Sequence, residues 1–271
     1  QSFAVVKTEH GRTEPAGNPL VWCKSRLNRW LDGVATRRTR AAVCYVTDDV
    51  GRHFAGSHHG LTRQTLYNGI DPLRNEEYSR PDDLEPDRIQ LGIVGRVSAV
   101  KGITYVLEAL AGLDGLPDWR LNVIGSGPLQ SALESQCRQL GLAETVRFLG
   151  FRRDVYRYLA HLDLLLMPSL HEGLPYTLLE AMSLGIPVLA SRVGGLAEVL
   201  MDGETGLLVP SQDSDAIRDA LKRLLTEPGL ASALGAAAAA QVRQKFTLDH
   251  MGDRYWQVYE AAVAEWRRDV G

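Results

Sequence analysis

Apolar residues in this chain fall into short runs separated by stretches with helical spacing, and the alternation is clearest from Ile89 onward. Runs at 89–94, 119–124, 145–149, 162–167, 187–190 and 206–209 predict buried strands. Between them, 102–111, 128–140, 154–160, 176–184 and 196–200 have the periodicity of helices. Strand–helix alternation with short connections predicts a parallel sheet covered on both faces. In such a sheet ligands bind at the carboxyl ends of the strands, so the loops that follow the strands are where chemistry is expected. Beyond residue 209 helices dominate, at 214–226, 231–245 and 248–266. Asp213 or Ser214 is placed to cap the first of these, and Thr247 or Asp249 the last.

The pattern before residue 80 is sparser. It predicts a strand at 3–7, a basic helix at 18–35, a strand at 41–46 and a short helix, followed by an irregular stretch at 65–72. This is too little for a full α/β domain and reads as the last third of one. A chain that opens inside a strand predicts further sequence upstream. Residues 79–87, with two prolines and several acids, read as a linker between two units.

The 271 residues are 45% hydrophobic and 23% charged, enough apolar mass for one or two cores. A formal charge of −3 gives no overall attraction to nucleic acid or to an anionic membrane. No apolar run approaches the roughly 18 residues that span a bilayer. Cys23, Cys44 and Cys137 are far apart and have no zinc-ligand spacing, which fits reduced thiols in a cytoplasmic enzyme.

Three loops carry candidate chemistry. After the strand at 89–94 comes Gly95-Arg96-Val97-Ser98-Ala99-Val100-Lys101-Gly102. Arg96 and Lys101 put two cations at a helix start, where free N–H groups already favour anions such as a pyrophosphate. A solvated basic loop is the bland alternative. The second loop, Gly125-Ser126-Gly127-Pro128, suits backbone contact with a ligand, and a tight strand–helix turn explains it equally well. The third is His171-Glu172-Gly173-Leu174-Pro175-Tyr176-Thr177-Leu178-Leu179-Glu180. Gly173 and Pro175 place Glu172 in the loop before a helix, with free N–H groups at Leu174, Tyr176 and Thr177. Glu180 sits among Leu178, Leu179, Ala181 and Met182 and should be half-buried, which is costly without a partner. Each carboxylate can accept two hydroxyls, so the pair suggests two diols on one ligand, one of a hexose and one of a ribose. Dipole compensation by Glu172 and a solvent-facing Glu180 are the alternatives.

In order, Gly95-Arg96…Lys101-Gly102, Val123-Ile124-Gly125-x-Gly127-Pro128, Phe148-Leu149-Gly150, Pro168-Ser169-x-x-Glu172-Gly173-x-Pro175, Glu180-Ala181-Met182-x-x-Gly185-x-Pro187-Val188 and Gly194-Gly195-x-x-Glu198 form a set. This set resembles glycosyltransferase family 4, from about residue 65 to 259. The resemblance implies an α/β chain of GT-B type, in which two Rossmann-like domains face each other across the active-site cleft. Here it implies a partial, acceptor-side N-terminal α/β domain and linker (1–80), one complete nucleotide-sugar-binding Rossmann-like domain (81–246) and a helix returning to the N-terminal side (247–271). It implies a retaining, hexosyltransferase-like enzyme that moves a sugar from a UDP- or GDP-linked donor to a hydroxyl acceptor, in polysaccharide, glycolipid or glycoconjugate biosynthesis. Arg96 and Lys101 would hold the donor diphosphate and stabilise it as the leaving group. Glu172 would hold the transferred sugar, beside the N–H groups of Leu174 to Tyr176. Glu180 would bind the ribose hydroxyls. Arg152 and Gly125 would lie by the base, and His10 would approach the reacting sugar from the other domain.

No metal or other cofactor is implied, and Asp213-Ser214-Asp215 reads as a helix cap rather than a metal motif. The sequence departs from the family in one respect: the strands before the His10 strand, and a glycine-rich loop near the donor, are not in it. That predicts a missing N-terminal part of the same protein that completes the acceptor side. The basic segment 22–40, interleaved with Trp22, Leu27 and Trp30, reads either as a peripheral contact with the cytoplasmic membrane face or as an amphipathic helix with its aromatics in the core. His58, His59 and His161 are read as structural or exposed, and Met251, Tyr255, Val258 and Tyr259 as one buried helix face. The competing functions are a non-catalytic sugar-nucleotide-binding module or inactive fragment, and a sugar-nucleotide epimerase.

Overall fold

The protein is described from a computed structural model, over residues 4–11, 19–113 and 118–270. Strands β1 (Val6–Glu9), β2 (Ala42–Tyr45) and β3 (Arg63–Thr65) form a small parallel sheet, connected by helices α1 (Pro19–Arg38) and α2 (Asp48–Phe54). A six-stranded parallel sheet follows, made of β4 (Ile89–Val94), β5 (Trp119–Ile124), β6 (Val146–Gly150), β7 (Leu164–Met167), β8 (Val188–Ser191) and β9 (Leu207–Val209). Its helices are α3 (Ile103–Ala111), α4 (Gln130–Gln139), α5 (Val155–Leu159), α6 (Tyr176–Ser183), α7 (Gly194–Val199), α8 (Ser214–Thr226), α9 (Leu230–Lys245) and α10 (Leu248–Val270).

The larger sheet has the spatial order β6-β5-β4-β7-β8-β9. The chain builds outward from β4 in one direction, then returns to pair β7 with β4 and builds outward in the other. This is the doubly wound order, and the gap beyond the ends of β4 and β7 is its switch point. Strand periodicity explains the two-sided burial. On β7, Leu164 and Leu166 enter an apolar cluster with Leu107, Leu110, Ile217 and Leu221 from α3 and α8. Leu165 and Met167 enter the opposite cluster, with Leu178, Met182, Leu196 and Val242 from α6, α7 and α9. Val43, Tyr45, Val46, Val50 and Phe54 belong to that second cluster too, so one apolar core runs from the small sheet into the large one.

The structure adjusts several sequence expectations. The first strand lies at Val6–Glu9 rather than 3–7, so His10 follows it directly; Phe3 lies outside the described residues. The basic helix extends to Arg38, and β3 was hidden because it is only three residues long. Trp30 is 62% exposed and does not sit in the core, while the side chains of Trp22 and Leu27 lie outside the described residues. Tyr259 is 46% exposed and leaves the face that Tyr255 and Val258 present to Ala42, Cys44 and Leu66. Tyr255 also donates its hydroxyl to Thr8 at 3.3 Å, so α10 does return to the small sheet. Asp213 caps α8 by accepting from the Ala216 N–H at 2.9 Å, and Thr247 accepts from the His250 N–H at 3.2 Å. His58 is buried with Nδ1 2.9 Å from the Tyr45 hydroxyl, and His161 Nδ1 lies 2.9 Å from the Arg157 carbonyl.

The acidic stretch before β4 is a strap, not a loose tether. Glu85 accepts from Arg120 at 3.0 Å and from Arg147 at 2.6 Å. Asp83 accepts from Arg152 and Tyr158, and Leu84 is buried beside Ile124 and Tyr158. Burial alone would raise the Glu85 carboxyl, but the bonds and charge of Arg120, with Arg147 and Arg88, outweigh it and hold the group below the usual glutamate range.

Within α9, Gly235 is small for a packing reason. A Cβ on Gly235 would run into the carbonyl of Gly185, so α9 and the turn after α6 approach backbone to backbone. Gly252 in α10 has nothing within 4 Å of the same position. Gly→Ala in a helix interior normally gains up to about 1 kcal/mol. The two glycines should therefore give opposite signs in urea unfolding: Gly252→Ala raises the midpoint, and Gly235→Ala lowers it despite the better helix propensity.

Candidate active site

The switch point is lined by the loops after β4 and β7, which lock together. Gly102 has φ +61° and ends the short 3-10 turn Ala99–Lys101; a Cβ there would strike the Pro168 carbonyl. The Leu170 N–H donates to the Val100 carbonyl at 2.7 Å. To one side, the ends of β4, β5 and β6 form a floor of glycine backbone. Gly95 and Gly125 have φ +139° and +136°, and a Cβ on Gly125 would enter the Gly95 carbonyl. The Gly125 N–H donates to Gly150 at 2.8 Å. Close approach of strand ends is thus a sufficient reason for Gly125, and the Val97 carbonyl, which a Cβ on Gly127 would strike, is one for the second glycine; the floor has no side chains of its own at Gly95, Gly125 and Gly150.

Four charged groups lie on the loops and the helix that follow β4 and β7. Lys101 Nζ lies 2.6 Å from Glu172 Oε1, across the two interlocked loops, and the side chains are 18% and 14% exposed. Ser169 donates its hydroxyl to the same oxygen at 2.7 Å. Arg96 is exposed and has no ion pair or hydrogen bond from its side chain among the described residues. Glu180 lies on α6 and accepts the Tyr156 hydroxyl at 2.9 Å. Burial raises the Glu180 carboxyl above the usual glutamate range, more than the Tyr156 bond lowers it.

Helix α6 starts at Tyr176, with Pro175 extended at the cap position, so Glu172, Gly173 and Leu174 lie in the loop as the sequence predicts. The Tyr176 and Thr177 N–H groups open the helix and have no carbonyl partner within it. Leu174 is buried and Thr177 half-buried. His10, exposed, comes from the far end of the chain: a Cβ on Gly173 would meet the His10 carbonyl. The structure therefore gathers Arg96, Lys101, Glu172, Gly173, Gly95 and Gly125 around the switch point, with His10 against the Gly173 backbone. Arg152 stands at the edge, held 3.1 Å from Asp83 and lying over the Tyr158 ring at 5.4 Å.

Sequence reasoning missed Ser169, Tyr156 and Asp83. Ser169 was visible as part of the motif, but its hydroxyl could not be aimed from spacing. Tyr156 and Asp83 reach the site only through tertiary contact. Among the described residues, Glu9, Asp32 and His58 could converge on a cation, but the ammonium of Lys7 forms ion pairs with both carboxylates and fills that role.

Comparisons with known proteins give the family and the fold. Residues 74–241 match the family described as Glycosyl transferases group 1. The chain is 33% identical over 247 residues to the D-inositol 3-phosphate glycosyltransferase of Mycobacterium avium, covering 83% of this chain and 56% of that protein. Its fold resembles that of Anabaena HepE, solved in complex with UDP and glucose, with a TM-score of 0.79 at 22% identity, covering 87% of this chain and 67% of HepE. The sucrose-phosphate synthase of Thermosynechococcus elongatus gives 0.79 at 23% identity, covering 97% of this chain and 69% of the synthase. The chain spans about half the length of the first curated relatives it matches. The architecture is a GT-B-like α/β fold with a well-formed C-terminal Rossmann-like unit and a smaller N-terminal sheet. With more than half its length inside the family match, this chain belongs to the glycosyl transferases group 1.

Proposed function

We propose that this chain carries the donor side of a retaining glycosyltransferase of family 4, which moves a sugar from a UDP- or GDP-linked donor to a hydroxyl acceptor. The observation that carries the reading is the Lys101–Glu172 pair at the switch point, with unpaired Arg96 on the loop that bears Lys101 and half-buried Glu180 on the helix that follows Glu172. Residues 81–246 would bind the donor. Residues 1–80 would form part of the acceptor side, and 247–271 would tie the two together.

Arg96 and Lys101 take the diphosphate, Arg96 as a fork and Lys101 as a point charge shared with Glu172. Glu172 accepts hydroxyls of the transferred sugar, and the N–H groups at the start of α6 add partial positive charge. Glu180 accepts the ribose hydroxyls, Gly125 gives the nucleotide close backbone access, and Arg152 borders the base. In a retaining front-face reaction the bond from the anomeric carbon to the diphosphate oxygen breaks as the acceptor oxygen attacks from the same side. The acceptor proton passes to a donor phosphate oxygen, so the main task of the protein is to stabilise charge growing on the leaving diphosphate. His10 approaches the sugar from the other side of the cleft. The product class would be a polysaccharide, glycolipid or other glycoconjugate made in the cytoplasm. Exposed Trp30 and Leu31 on the basic helix α1 support a peripheral contact with the membrane face.

Calorimetric titration with UDP and GDP tests the donor site. Arg96→Ala should weaken the nucleotide that binds by about 2 kcal/mol, roughly 30-fold in Kd, and leave thermal stability unchanged. Lys101→Ala should weaken it similarly and also destabilise the fold by about 1–3 kcal/mol, because Glu172 loses its partner while mostly buried. Binding of neither nucleotide to the unsubstituted protein would overturn the reading.

Glu180 gives a pH prediction. Its carboxyl is raised in the folded protein, so its contribution to stability is full below the usual glutamate range and is lost as pH rises through the raised value. At pH 7 the buried charge opposes folding. Glu180→Gln should therefore unfold at a higher temperature than the unsubstituted protein at pH 7 and at the same temperature near pH 4. The same variant should bind nucleotide about tenfold or more weakly, because two charge-assisted bonds to the ribose are lost.

A further inference from the structure

Glu198 stands on α7, in the larger unit, yet every bond its carboxylate makes among the described residues goes to the smaller one. Oε2 accepts the Asp48 N–H at 2.9 Å and Oε1 accepts the Asp49 N–H at 2.7 Å. These are the opening N–H groups of α2, which have no carbonyl within their own helix. The next, Val50 N–H, goes to the hydroxyl of the cap residue Thr47 at 3.1 Å. Arg52 lies 3.5 Å from Oε1, and the Tyr67 hydroxyl donates to Oε2 at 3.4 Å. The side chain is only 16% exposed. Helix α2 is thus capped in part by a residue 150 positions away in sequence. The burial of Tyr67 and the nearby Glu198 charge push its phenol up to about 12, so it remains a hydrogen-bond donor at any ordinary pH.

The other end of α7 supports the loop that carries Glu172. A Cβ on Gly194 would strike the Glu172 carbonyl, and one on Gly195 would strike the Gly173 carbonyl and approach the Thr47 methyl to 2.8 Å. The Gly195 N–H donates to the Glu172 carbonyl at 3.3 Å. A second contact comes directly from the smaller unit: buried Asn68 donates its side-chain amide to the Leu174 carbonyl at 2.8 Å. The loop 172–174 therefore rests on α7 and is held from the smaller unit at Leu174, while α7 is held to the smaller unit by Glu198.

We infer that Glu198 and Asn68 are positioning residues: together they clamp the loop bearing Glu172 to the smaller unit, so that occupancy of the loop and docking of α2 are energetically coupled. Neither side chain needs to touch a ligand for this. By reciprocity, a ligand that favours the ordered loop must also favour the docked α2. The coupling to nucleotide rests on the donor-site reading above; the clamp itself does not.

Hydrogen exchange on the chain, with and without UDP or GDP, separates the two. In the ligand-free protein, Glu198→Ala should speed exchange about tenfold at residues 47–52 and 172–178, with β4, β5 and β7 unchanged. Asn68→Ala should do so at 172–178. Saturating nucleotide should slow exchange at 47–52 by about fivefold or more in the unsubstituted protein, but not in Glu198→Ala. A merely structural Glu198 would not produce that difference. If β4, β5 and β7 also open in Glu198→Ala, the shape-preserving Glu198→Gln is compared instead. It turns an amide donor toward an N–H donor and should still open 47–52. Unchanged exchange at 47–52 and 172–178 in a folded Glu198 variant overturns the clamp. Nucleotide that binds without slowing 47–52 overturns the coupling. If no nucleotide binds the unsubstituted protein, the donor reading falls, and the ligand-free exchange alone decides the clamp.

Discussion

Lys101 and Glu172 can meet only because the sheet reverses direction between β4 and β7. One residue lies on the loop after β4, the other on the loop after β7, and 71 positions separate them. Pairing β7 beside β4 brings the two loops to the same gap, and the Gly102–Pro168 contact locks them there. The rest of the site is arranged around this juxtaposition. The glycines at the ends of β4, β5 and β6 bare the floor, and α6, which follows the Glu172 loop, carries Glu180. A carboxylate and an ammonium at 2.6 Å, both mostly buried, neutralise one another enough to tolerate removal from water. Arg96 and Glu180 are not neutralised in this way: Arg96 has no side-chain partner among the described residues, and Glu180 has only the Tyr156 hydroxyl.

Much of this could be read from the sequence, because it depends on local periodicity. The six strands of the larger sheet are short, mainly apolar runs, and their alternation with helices implies a parallel sheet. Glu172 could be placed outside α6 because Gly173 and Pro175 do not continue a helix backward. What could not be read was set by tertiary contact. The strand before His10 slides by a few residues because its register follows from pairing with β2, not from where its most apolar residues lie. Three-residue β3 has too little pattern to register. Tyr156 looked like any aromatic on a short helix, and only the fold turns its hydroxyl to Glu180. The stretch 79–87 reads as a linker between two units, and its pattern could not show that Asp83 and Glu85 are bound by arginines and tyrosine from β5, β6 and the segment around α5.

Stability and site chemistry pull against each other at two kinds of residue. Glu180 is held ionisable in surroundings that disfavour its charge, and the only bond it receives among the described residues comes from the half-exposed Tyr156. The glycines of the floor give up side-chain burial and add freedom to the unfolded chain. The fold offsets these costs with an apolar core that is continuous across both sheets, so the smaller unit is not an appendage. Val46, Val50 and Phe54 pack in the same cluster as Leu178, Met182 and Leu196.

That shared core brings α2 against α7, and the spacing Gly194-Gly195-x-x-Glu198 then follows from helix geometry. Residues four apart on a helix lie on the same face, one turn above the other. Gly194 and Glu198 have that relation. The lower turn must be bare, because carbonyls of Glu172 and Gly173 occupy the space a Cβ would need. One turn further on, the same face reaches the start of α2, where two N–H groups need an acceptor, and Glu198 is the residue long enough and charged enough to satisfy both. An alanine in place of either glycine would lift the loop off the helix, and a shorter side chain at 198 would leave α2 half-capped. The motif thus joins loop support and contact between the units in one short segment, and its glycine and glutamate requirements come from backbone packing on one turn and hydrogen-bond demand on the next.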